Sequence, residues 1–218
     1  MNTFINKVRL IVSDRGLRNR ILFTLGALVL FRVLAIIPIP GIDPFRLQSL
    51  FSNNQFLGLL NLFSGGGLSR LSIVMLGVGP YITGSIIMQL LTIMSPRLKA
   101  MYQEEGEAGR KRFSYYSRLL TLPLAVIQGF SFLTLLTRSQ VLPPLGLFST
   151  FQNIVIISAG SVLLMWLGEL ITEFGIGNGV SLLIFSGIVA ALPSTLNQFR
   201  FTFDVSQIPV YLAFLIGA

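Results

Sequence analysis

Residues 71–94 carry no charged side chain over 24 consecutive positions. This run constrains the chain more than any other feature. An α-helix rises about 1.5 Å per residue, so roughly 20 apolar residues cross the hydrocarbon core of a bilayer. The pattern recurs at 119–137, 151–168 and 176–196, and at 21–37 with one charge, Arg32. The spacing predicts an all-α, polytopic membrane protein with five spans. Composition agrees: 11% of the 218 residues are charged and 53% are apolar. A soluble domain carries about 25% charge, so a water-soluble globule is excluded.

The connections sharpen this picture. Pro38 and Pro40 close the first run, because proline lacks the backbone donor a helix needs. A cleaved signal peptide would need an uncharged core and a small-residue cleavage site. Arg32 and the ending Ile37-Pro38-Ile39-Pro40-Gly41 fit a retained helix instead. Residues 57–63 are apolar but too short to span, and they lead into Ser64-Gly65-Gly66-Gly67 and Leu68-Ser69-Arg70. Gly77-Val78-Gly79-Pro80 then interrupts the 71–94 run and is expected to bend or break its helix. A short apolar segment, a glycine run and a broken helix together read as a re-entrant element. Such backbone survives at membrane depth only when buried in protein or lining a watery cavity. Residues 96–118 are the most polar stretch and read as a basic cytoplasmic loop. Pro123 is expected in the first turn of the following span, where proline is tolerated. The helix at 176–196 spans only if it starts before Val180 or continues past Pro193. Residues 208–218 open a sixth apolar run; eleven helical residues rise about 16 Å, so the expectation is a fragment of a longer protein.

Charge sets the orientation. With residues 1–20 in the cytoplasm, the cytoplasmic segments hold five Lys+Arg before Ile21 and six in 96–118. The other side holds four: Arg46, Arg70, Arg138 and Arg200. Basic residues favour the cytoplasmic side, so the net charge of +8 reports topology rather than nucleic-acid binding.

The residues offer little covalent chemistry. Histidine and cysteine are absent, and Asp14, Asp43 and Asp204 lie outside the apolar runs. No enzyme, cofactor or metal site is expected. Glu169 and Glu173, four residues apart on one helical face, are either a cation site or the solvated end of a span. Gly175-Ile176-Gly177-Asn178-Gly179 imitates a phosphate loop, but no strand precedes it and no lysine follows, so a sharp turn between spans is expected. Arg32 is either a functional group within a span or a side chain that snorkels to the interface. The 96–118 segment is either a topology determinant beside anionic lipid or a docking surface. Val78 with Ile82, and Val180 with Ile184, are apolar pairs four apart. They are ordinary membrane-helix contacts or a constriction that excludes water and ions.

Several stretches match a known family in order. They are Phe31-Arg32 with Ile37 to Asp43, Asn61 to Arg70, Leu76 to Ile82, and Ile86 to Leu91. They continue with Glu105 to Arg112, Met165 to Glu169 with Ile171 to Glu173, and Gly175 to Gly179. Across residues 20–193 the chain resembles the N-terminal half of the SecY family of protein-conducting channels. The resemblance implies ten helices in two inverted halves around a central pore, of which this chain supplies five and the start of a sixth. It implies a pore ring of Val78, Ile82 and Ile184 bordered by Val180. It implies a plug over 57–70, including Leu57, Leu60, Asn61, Phe63, Ser64 and Gly65, then Gly66, Gly67, Ser69 and Arg70. Helices two and three, here 79–94 and 119–137, would supply one side of a lateral gate, with Ile86, Ile87, Gln89 and Leu90. Arg110, Lys111 and Arg112 would be a secondary docking patch. SecE and SecG are the implied membrane partners, with the SecA ATPase or a ribosome as motor. Signal sequences, nascent polypeptides and membrane lipid would be in contact. The implied location is a bacterial plasma membrane, or a thylakoid membrane. The rivals are an inverted-repeat secondary transporter, which should carry polar or charged side chains near the midplane, and a non-conducting scaffold subunit, which would not need a plug.

Overall fold

The computed structural model describes residues 14–39, 71–138, 142 and 146–202. The expected plug at 57–70 and the run at 208–218 lie outside the described residues. Among the described residues there are six helices: α1 (Arg15–Leu34), α2 (Gly79–Met94), α3 (Pro96–Gln103), α4 (Gly106–Arg138), α5 (Leu147–Phe174) and α6 (Gly179–Thr202). α4 and α5 are each long and apolar enough to cross a membrane. Side chains such as Ile93, Leu147 and Phe148 stand largely exposed, a surface suited to lipid rather than water.

α1 begins where the Asp14 carboxylate accepts a bond from the Gly16 amide at 2.9 Å. It therefore starts before the apolar run and takes Arg15, Arg18 and Arg20 onto its first turns. Beyond its end, the Ile39 amide donates to the Leu71 carbonyl at 2.9 Å and the Ile73 amide to the Ile37 carbonyl at 3.0 Å. Residues 71–78 are turns apart from Ser72, which forms an isolated antiparallel bridge with Pro38, and α2 starts only at Gly79, with Pro80 in its first turn. Gly77 lies at φ +60°, the left-handed region that glycine enters without strain. These turns are tolerated because they are buried: Leu71, Ser72, Val74, Met75 and Val78 are nearly inaccessible. Gly160 of α5 makes this possible, since a Cβ there would sit 2.0 Å from the Ile73 carbonyl oxygen.

The structure corrects the 96–118 loop. It forms α3 and the first turns of α4, interrupted at Glu104 and Glu105, with Gly106 opening α4 at φ +63°. α4 is 33 residues long, about 50 Å, so it outruns the hydrocarbon. Gly109, Phe113, Ser117, Thr121, Ala125, Gly129 and Leu133 recur every four residues as its buried row. That row continues from the polar part into the apolar part, which is why the helix does not stop at the polar boundary. Pro123 consequently lies inside α4, not in a first turn. Likewise α6 runs through Pro193, and α5 takes Glu169 and Glu173 into its last turns.

Two apolar clusters bind these elements. One joins Ile39, Leu71, Met75, Leu133, Leu136 and Ile157. The other joins Phe31, Val74, Val78, Leu164, Ile171 and Leu183. Within a bilayer such contacts act through close packing rather than escape from water.

Candidate functional site

A cavity of about 570 Å³ opens between α2, α4, α5 and α6. On α2 its wall is Tyr81, Ile82, Ser85, Ile86 and Gln89, one face of the helix. Pro80, Gly84 and Met88 lie buried on the other face. α4 contributes Ser114 and Arg118; α5 contributes Glu169, Thr172 and Glu173. Val180, Ser181 and Ile184 come from α6 and Asn178 from the turn before it.

The aliphatic residues converge although they come from distant parts of the chain. Ile82, Val180 and Ile184 all line the cavity, and all pack, half-buried, on the cluster that contains buried Val78. The turn before α6 sets their register. Gly177 takes φ +72°. The Asn178 carboxamide oxygen accepts from the Ser181 amide at 3.0 Å and caps α6. The Thr172 hydroxyl donates to the Gly168 carbonyl at 2.8 Å and accepts from the Gly179 amide at 2.9 Å. A Cβ on Gly179 would meet the Gly168 carbonyl oxygen at 2.0 Å, so α5 and α6 touch backbone to backbone. The Ile176 amide also donates to the Thr24 hydroxyl at 3.2 Å, tying the turn to α1. The glycine-rich sequence is therefore a helix–helix turn, as its context indicated.

The other expected site residues divide. Ile86 and Gln89 face the cavity, whereas half-buried Ile87 and exposed Leu90 do not line it. Arg110, Lys111 and Arg112 are exposed on the first turns of α4, and Arg112 lies 3.6 Å from Glu105. Arg32 donates to the Ser186 carbonyl of α6, with its guanidinium 5.4 Å from the Phe31 ring centre.

Sequence reasoning missed one pair. The Arg118 guanidinium and the Glu169 carboxylate form an ion pair across α4 and α5 at the cavity wall. Neither spacing nor local composition links positions this far apart. The only local signal was Glu169 at the end of an apolar run. Glu169 is thus engaged by Arg118, and Glu173 lies one turn further along the same wall. Chemically, the site sets an aliphatic patch of Ile82, Val180 and Ile184 beside polar walls that carry both signs of charge.

Known proteins resemble the chain in sequence and in fold. Residues 72–218 match the SecY family model. A protein translocase subunit SecY from Synechocystis sp. is 49% identical over 183 residues, covering 84% of this chain and 41% of that protein. The corresponding subunit of Haemophilus influenzae is 46% identical over 191 residues, covering 85% of this chain and 43% of that protein. The chain spans about two fifths of the length of such relatives. Among solved structures, one described as a protein conducting channel aligns with a TM-score of 0.56 at 23% identity, over 81% of this chain and 37% of that one. Sec61 in the canine ribosome-channel complex aligns with a TM-score of 0.57, with the same coverage and identity. At that identity the structural matches speak to the fold alone.

Proposed function

The chain belongs to the SecY family, and on that premise we propose that it supplies the N-terminal part of the central subunit of a protein-conducting membrane channel. The observation that carries the proposal is the convergence of Ile82, Val180 and Ile184 on one cavity, with Val78 packed in the same cluster. A narrow aliphatic ring excludes ions by dewetting. It offers no hydrogen bonds, so it does not hold a passing polypeptide. Gln89, Ser114, Thr172 and Asn178 keep the vestibule wet, and an unfolded chain stays solvated until it reaches the ring. Ile86 and Gln89 extend the same α2 face toward a sideways exit, through which signal sequences and nascent membrane helices leave into lipid.

In this reading residues 57–70 are the plug. SecE and SecG complete the membrane complex, and SecA or a ribosome drives transport. Arg110, Lys111 and Arg112 form a secondary docking patch on the cytoplasmic extension of α4. The membrane is the plasma membrane, or the thylakoid membrane, with the N-terminus in the cytoplasm. The distribution of basic residues supports that orientation.

The test is resting ion conductance of the full-length complex in planar bilayers. Replacing Ile82 and Ile184 by glycine is expected to raise it several-fold. Unchanged conductance would remove both side chains from the seal.

A further inference from the structure

The seal depends on how α6 is oriented, and the structure holds α6 against α1 at two levels. The first is the turn, where the Ile176 amide meets the Thr24 hydroxyl. The second is Arg32, whose guanidinium donates to the Ser186 carbonyl. Ser186 lies seven residues past Gly179, about 10 Å along α6. Arg32 lies eight residues past Thr24, about 12 Å along α1. One attachment lets a rod pivot, while two fix its direction.

The second attachment also fixes rotation. Ser186 is two residues beyond Ile184, about 200° around the helix. The face that Arg32 grips is therefore opposite the face that carries Ile184 into the cavity. A backbone carbonyl has two lone pairs, so Ser186 can accept from Arg32 and still serve the helix ladder. The grip is firm at its base, because Phe31, next to Arg32, is 2% exposed in the cluster that holds Leu183 of α6. A guanidinium in apolar surroundings needs acceptors. Any displacement of α6 from α1 would strip one away.

We propose that Arg32 is a positioning residue for the pore ring: through the Ser186 carbonyl it sets how far Val180 and Ile184 project into the cavity. The proposal rests on the reading of those side chains as the seal. The test uses the full-length complex with spin labels at exposed Val29 and Val189, on α1 and α6, and measures both label separation and resting conductance. Arg32→Met is expected to broaden the distance distribution and raise the leak several-fold. Arg32→Lys, which keeps a charged donor, is expected to stay near the parent in both. Arg32→Gln, a shorter neutral donor, should fall between them and serves if the Met variant does not assemble. A narrow distribution in the Met and Gln variants overturns the proposal. So does a broad one without leak while Ile184→Gly leaks. If Ile184→Gly does not leak, the ring reading fails instead, and the broadened distribution alone then upholds the grip of Arg32 on α6.

Discussion

The two apolar clusters have similar composition and different edges. Ile39, Leu71, Met75, Leu133, Leu136 and Ile157 are almost fully buried, and half-buried Ile154 at their margin borders an apolar hollow between α4 and α5. Phe31, Val74, Leu164, Ile171 and Leu183 are equally deep, but their cluster has an open edge where Ile82, Val180 and Ile184 stay half-buried over a cavity. Closed packing leaves each side chain one job, which is to hold helices together. An open edge keeps aliphatic surface in reserve. Identical residue types thus differ in surroundings by what lies on their far side.

The largest effect is expected where the two clusters meet. Ile73 packs against both, and its carbonyl oxygen rests on Gly160. Gly160→Ala would place a methyl 2.0 Å from that oxygen, backbone against backbone, and nothing nearby can yield cheaply. A cost of about 4–5 kcal/mol, the extreme of single substitutions, is expected. It should be read as loss of folded protein in detergent. Gly26→Ala on α1 is the control, because nothing lies within 4 Å of its Cβ position; it should be neutral or slightly stabilising. Equal yields of the two variants would refute the close approach of α5 to residues 71–78.

The next effect separates the clusters. Ile157 is fully buried in the first one, and Ile157→Ala is expected to cost about 2–4 kcal/mol through the cavity it leaves. Ile82→Ala, on the open edge, should cost less than about 1 kcal/mol, because its side chain already borders empty space. Thermal unfolding of both variants in the same detergent measures the difference. If the two midpoints fall together, the open edge is no more than ordinary core.

What could be read from the sequence follows the same division. The apolar runs at 119–137 and 151–168 lie inside α4 and α5 because spanning a membrane is a property of local composition. The break at Gly77-Val78-Gly79-Pro80 was legible for a similar reason, since glycine and proline act on their own backbone. Composition misled at 96–118, where polarity marks solvent and not irregular structure. The four-residue spacing of Gly109, Phe113 and Ser117 was the signal that this part is helical. The cavity itself was only half legible. The sequence marks Val78 with Ile82 and Val180 with Ile184 as two separate apolar pairs, and only family resemblance joins them. Neither their meeting nor the Arg32–Ser186 contact follows from spacing, because both depend on how separate helices pack.

The smallest effect concerns the polar wall above that open edge. Arg118 and Glu169 pair across α4 and α5, yet the Arg118 side chain is 46% exposed and that of Glu169 only 19%. Exposed ion pairs contribute about 1 kcal/mol or less, and solvent at Arg118 screens this one. The two ends should therefore respond unequally. Arg118→Ala leaves a mostly buried carboxylate without its cation, whereas Glu169→Gln leaves a guanidinium that water can still reach, and an amide oxygen that can still accept from it. Arg118→Ala is expected to cost more than Glu169→Gln. A double-mutant cycle should give a coupling of about 1 kcal/mol or less. A larger penalty for Glu169→Gln would mean that Glu169, not the pair, anchors this wall. The polar rim of the cavity would then be built like the first cluster rather than like the open edge of the second.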